Sequence, residues 1–116
     1  TVPTDVTLVA YCLDNYQSRF ALDAVTLQST FLVHAGLQGE HGQVLTLQKG
    51  SSQPFGEIFA GAQQPSGAIP VTGDAVAVVA GLMATELFNV LGGKPKLLNR
   101  CLVVGLGDFH FSCLDL

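Results

Sequence analysis

Cysteine and histidine are the residues here most able to do chemistry, three of each in 116 residues. A thiolate nucleophile needs an imidazole or another positive group beside it to lower its pKa. Cys113 and His110 stand three apart in what reads as one strand, so their side chains point to opposite faces and cannot pair locally. Cys12 would need the fold to bring His34 or His41 to it. Cys12, His34, His41, His110 and Cys113 are therefore the catalytic candidates, and they define one reading of the chain, a small Cys/His-dependent enzyme.

The cysteines form no CxxC and have no histidine at zinc-finger spacing, so no metal site is expected. His34, Glu40 and His41 lie in or beside a glycine-rich stretch and read as solvated loop residues. A disulfide between Cys101 and Cys113 would form only if the hairpin register set them opposite each other. Gly105-Leu106-Gly107 lacks the third glycine and the following helix of a nucleotide fingerprint, and reads as a turn. Asp108 belongs to the same turn. No cofactor is expected.

The element that organises the chain is residues 73–93, GDAVAVVAGLMATELFNVLGG, whose one interior charge is Glu86. With Asp74 as cap and Gly92, Gly93 and Pro95 as stop signals, it reads as a helix over 74–91. The three valines among residues 76–79 also allow a strand over 75–80, with a shorter helix over 82–91. Helix over 82–91 is common to both. Ala77, Gly81, Ala84 and Thr85 form a stripe of small residues that lets another backbone approach closely, and with Phe88 they make a candidate interface. The competing reading lays the stripe on the chain's own sheet. Glu86, and a run short of the ~20 residues a bilayer needs, argue against a membrane span.

Around the helix lie short β-branched runs. Residues 6–13 (VTLVAYCL) and 43–49 (QVLTLQK) read as strands, and residues 25–34 as a strand after a helix or turn over 18–24. Residues 97–116 read as a C-terminal hairpin, with Phe109, Phe111 and Cys113 on one face and His110, Ser112 and Leu114 on the other. The fold class is therefore α+β: a mostly antiparallel sheet of short strands with one principal buried helix and a C-terminal β-hairpin, in a single domain over 1–116.

Charged residues make up 12 % of the chain and apolar ones 48 %, with a mean hydropathy of +0.44. So sparse a charge fits a chain that hides surface in another subunit or partner. Net charge is −4, which excludes the dense basic surface of a general nucleic-acid binder. Lys94, Lys96 and Arg100 are the one basic cluster, suited to a helix C-terminus or to a small anion. The first residue is Thr and no signal sequence follows, which suggests trimming from a precursor or a viral-type assembly, or an arbitrary cut. Unpaired cysteines favour an intracellular setting. The function that emerges is a non-enzymatic module that associates with itself or a stable protein partner. The alternatives are the Cys/His enzyme and an apolar-ligand domain lined by Phe20, Phe31, Phe55, Phe59, Phe88, Phe109 and Phe111.

Overall fold

The computed structural model describes residues 7–11, 19, 21–22, 28–38, 41–52 and 73–116. Among the described residues, five strands form one sheet in the order of the chain: β1 (Leu8–Tyr11), β2 (Phe31–Gln38), β3 (His41–Gln48), β4 (Arg100–Gly105) and β5 (His110–Asp115). β1 runs parallel to β2, and every later pair is antiparallel. The long helix α1 (Gly73–Leu91) connects β3 to β4 and packs mainly on β2 and β3. The expected α+β class, with its mostly antiparallel sheet and C-terminal hairpin, is the architecture observed.

Period-two alternation sorts the strand residues onto two faces. Val33 and Val44 point toward α1 and meet Val79 and Val90, with Leu82, Met83 and Leu87 at the margin. Leu32, Leu45, Leu47 and Cys101 point the other way, where Val9, Leu22 and Val103 pack against them. Because both faces of β2 and β3 are covered, these strands read as nearly continuous apolar runs.

α1 takes the longer of the two expected courses. It ends in a Schellman arrangement: Lys94 N–H donates to Asn89 O at 2.8 Å and Gly93 N–H to Val90 O at 3.0 Å. Gly93 sits at φ 76°, where a side chain would be strained. Its sheet-facing residues are Ala75, Val79, Glu86 and Val90. By length and composition alone α1 could also cross a membrane; here that one face lies on the sheet.

Gly42 lets the helix come close. A Cβ there would stand 2.4 Å from Val79 Cγ2, a distance that forces helix and sheet apart. Gly42→Val is therefore expected to destabilise the fold by about 1–3 kcal/mol, read as a lower urea midpoint at unchanged slope. Gly42→Ala should fall between it and wild type.

Expected boundaries shift in two places. The strand placed over 25–34 is observed at Phe31–Gln38, with residues 28–29 in a turn. His41 opens β3 where a loop was expected, and Gln38 pairs directly with it. The physical reason is that glycine and glutamine continue a ladder whose centre, Val33 opposite Thr46, is already buried and in register. Residues 1–6, 12–18, 20, 23–27, 39–40 and 53–72 lie outside the description, so the expectations for Cys12, Phe20, Glu40, Phe55 and Phe59 do too.

Candidate functional site

On the sheet face away from α1, a chain of polar contacts crosses three strands. His34 on β2 is 1 % exposed. A guanidinium nitrogen of Arg19, Nη1, stands 2.6 Å from its Nδ1 and 3.3 Å from its Nε2. Close to both ring nitrogens at once, it lies over the imidazole rather than in line with one lone pair. The Gln43 amide on β3 is 3.4 Å from Nε2, and Cys101 Sγ on β4 is 4.0 Å from Gln43 Oε1.

A positive group seated on the ring requires that ring to be neutral. Burial, and then the Arg19 charge, hold the His34 pKa down to about 3 from the ordinary 6.5. Arg19 itself stays cationic at any working pH. The result is a guanidinium resting on a buried neutral ring. Burial also pushes the Cys101 thiol up, with Cys113 adding to the effect, so Cys101 is a poor nucleophile.

A second buried polar knot joins α1 to the sheet. Glu86, 2 % exposed, accepts from Thr46 Oγ1 at 2.6 Å, Leu97 N at 2.7 Å, Lys96 N at 3.0 Å and Asn89 Nδ2 at 3.3 Å. Every contact is a donor to the carboxylate, so its role is to hold helix, strand and the segment after the helix together.

The other candidates scatter. His41 and His110 are exposed at either side of Gly105, which pairs with both. Ser112 Oγ bonds His110 Nε2, but Asp108 accepts from the His110 backbone N–H at 3.2 Å and does not orient the ring. Ser, His and Asp are thus neighbours without forming a relay. The β4–β5 register pairs Cys101 with Leu114 and Cys113 with Leu102, one residue away from the pairing a disulfide needs, and both thiols are free. Cys113 is exposed and His110 lies on the opposite face, so no thiolate–imidazole pair forms there. No cluster of three metal-ligating side chains occurs among the described residues.

The expected interface residues Ala77, Gly81, Ala84, Thr85 and Phe88 are all exposed, on the side of α1 turned from the sheet. The stripe therefore does not serve packing on the chain's own sheet. Lys94, Lys96 and Arg100 are exposed beyond the end of α1, and Arg100 pairs with Asp115 at 3.5 Å. Of the aromatic residues proposed to line a ligand pocket, Phe88, Phe109 and Phe111 face solvent while Phe31 packs beneath α1, so these four share no cavity. Arg19 was missed in the sequence. The available signal was a basic residue in a chain with only five.

A mostly antiparallel sheet covered on one face by α1, with a buried histidine under an arginine on the other, defines an α+β domain. The chain matches the ThiF family over residues 2–115 and belongs to it. No curated protein matches it in sequence. Among solved structures it is similar to E. coli MccB, at 12 % identity and a TM-score of 0.73, with 98 % of this chain and 37 % of that one aligned. PaaA is similar at 13 % identity and a TM-score of 0.71, over 97 % of this chain and 43 % of that one. MccB has also been solved with ATP, and with AMPCPP and MccA together. The chain thus spans well under half the length of the solved proteins it resembles.

Family membership corrects the expectation of a non-enzymatic association module, because the ThiF family is one of adenylating enzymes. The apolar-ligand alternative falls with it. Low charge and an exposed apolar helix are equally what one part of a larger enzyme displays.

Proposed function

We propose that this chain is part of an ATP-dependent adenylating enzyme whose acceptor is a carboxylate on a polypeptide. The observation that carries the reading is the family match across residues 2–115; the MccB structures with ATP and with MccA supply the substrate classes. In such a reaction a carboxylate oxygen attacks the α-phosphorus of ATP. The bond to the departing pyrophosphate breaks and a mixed acyl–phosphate anhydride forms. Both substrates and both products are oxyanions, so a dry site with fixed positive charge favours the chemistry. Gly105 ends β4 and Leu106 and Gly107 open the β4–β5 turn, so under this reading the phosphates are met by other groups of the enzyme. The test is ATP–pyrophosphate exchange by the full-length protein against polypeptides that co-purify with it. Acceptor-dependent exchange supports the reading. Absence of exchange together with absence of AMPCPP binding overturns it.

The outward face of α1 is proposed to meet a second copy or another part of the enzyme. A Cβ on Gly81 would touch nothing within 4 Å, so Gly81→Ala is expected to stabilise an isolated chain by up to about 1 kcal/mol through helix propensity. Gly81→Leu is expected to lower the solution mass measured by light scattering if another backbone packs there. An unchanged mass removes α1 from the contact.

A further inference from the structure

The geometry points to the outer edge of β5 as a docking strip for an extended, acidic segment of the acceptor polypeptide, an inference that rests on the adenylation reading above. The backbone sets the kind of occupant. β4 and β5 pair without a bulge from Arg100 opposite Asp115 to Gly105 opposite His110. Leu116 N–H, donating to Asn99 O at 2.9 Å, continues the ladder. In an antiparallel pair, alternate residues turn their N–H and C=O groups toward the partner strand. Leu116, Leu114 and Ser112 therefore face β4, and the N–H and C=O groups of Phe111, Cys113 and Asp115 turn outward. Among the described residues no strand lies beyond β5, and every residue of β5 except Ser112 is exposed. Donors and acceptors at that spacing are matched by another extended backbone.

Exposed edge strands ordinarily carry a guard such as proline, lysine or a bulge. β5, with the sequence HFSCLD, has none of these. Instead Phe111 is 51 % exposed on one face and Leu114 54 % on the other, so a strand laid along the edge covers apolar side chains on both sides. At the hairpin tip Phe109 is held at φ 53° and is 84 % exposed, a conformation in which glycine or asparagine would be less strained. Charge then selects the occupant. Lys94, Lys96 and Arg100 lie exposed in the run leading into β4, at the end of the hairpin where β5 finishes. Asp115, 3.5 Å from Arg100, is the acid paired into that end, and Asp108 stands at the other. Carboxylates on an occupant beside Arg100 meet a field of opposite sign. A second copy of β5 fits less well. Antiparallel self-pairing sets Asp115 opposite Phe111 when centred on Cys113, and opposite Phe109 when centred on Ser112, a carboxylate against a phenyl ring each time.

The experiment follows amide hydrogen exchange over residues 109–116 of the full-length protein, with acetyl-Thr-Val-Thr-Val-Thr-Glu-Glu-amide and its Lys-Lys counterpart as probes. With the Glu-Glu peptide at about ten times its Kd, the amides of Phe111, Cys113 and Asp115 are expected to slow about tenfold, while those of Ser112 and Leu114 stay as they were. The Lys-Lys peptide is expected to bind about fivefold more weakly at low salt, a difference that added salt removes. Cys113→Pro deletes an outward donor and no bond to β4, and is expected to abolish the protection. Thermal melting shows whether it folds; Phe111→Lys, which installs the missing guard, decides the matter if it does not. Unslowed outward amides in the wild type, or full protection in a folded edge variant, overturn the inference. So do outward amides already slow without peptide, in favour of a second copy if dilution releases them and of another part of the enzyme if it does not. Equal protection by the two peptides overturns the acidic occupant. In ATP–pyrophosphate exchange the same variant is expected to raise the acceptor KM about fivefold. Exchange with an unaltered KM overturns the inference and leaves the adenylation reading intact, whereas absence of exchange and of AMPCPP binding in the wild type overturns the reading on which the inference rests.

Discussion

Glu86→Ala is expected to lower unfolding stability by about 3 kcal/mol or more, enough to unfold a marginal domain. Removing the carboxylate strands the Thr46 hydroxyl, on a residue 0 % exposed, and the Lys96 and Leu97 N–H groups, which are part-buried. Each buried donor left without an acceptor costs on the order of 1–3 kcal/mol, less where water can reach it. Alanine has the better helix propensity, but that gain is only a few tenths of a kcal/mol and cannot decide the outcome. Glu86→Gln tests the electrostatic part: it keeps the shape, yet turns an amide NH2 toward groups that all donate. Its stability should fall between wild type and alanine. Urea denaturation gives the ordering, and Thr46→Val combined with Glu86→Gln should show a coupling of about 1 kcal/mol, because the two side chains share one hydrogen bond. Full stability in Glu86→Ala would mean the knot is replaceable by water.

Much of the fold was legible because its signals are local. The alternation along residues 43–49 and 101–114 reports directly which side chains share a face, and Gly92, Gly93 and Pro95 end α1 where they stand. What escaped was anything made by distant residues. Glu86 looked like a lone charge in an apolar helix; its partners Thr46 and Leu97 are 40 and 11 positions away. Arg19 and His34 are 15 apart, and no spacing rule links a residue before β2 to the middle of that strand. His34 was picked out as loop chemistry beside His41, but strand pairing buries the one and exposes the other.

The enzymatic class was illegible for a related reason. The family likeness is spread over residues 2–115 rather than condensed in a short motif, and the charges of the site are few. The low charge was read wrongly as a sign of a passive module. An exposed apolar helix face with Val76 41 %, Phe88 74 % and Leu91 68 % accessible asks for a covering surface, whatever chemistry the covered protein performs.

Stability is expected to fall with acidification through His34, and the sign follows from its depressed pKa. In the folded chain His34 titrates at about 3, and in the unfolded chain near 6.5. Between those values the unfolded state binds the proton and the folded state does not, so stability rises with pH across the window. The contribution is complete above about 6.5 and is lost progressively as pH falls toward about 3. The slope approaches about 1.4 kcal/mol per pH unit, which gives roughly 2–3 kcal/mol between pH 6.5 and 4.5, above the range where most carboxylates titrate. Arg19 and Gln43 stand against the ring, and neither of these two titrates there. Urea midpoints at pH 7.5, 6.5, 5.5 and 4.5 read the slope directly. His34→Asn cannot take up the proton and should flatten it. A wild-type curve equally flat over this range would mean that the ring is protonated in the fold, and a guanidinium could not then rest on it.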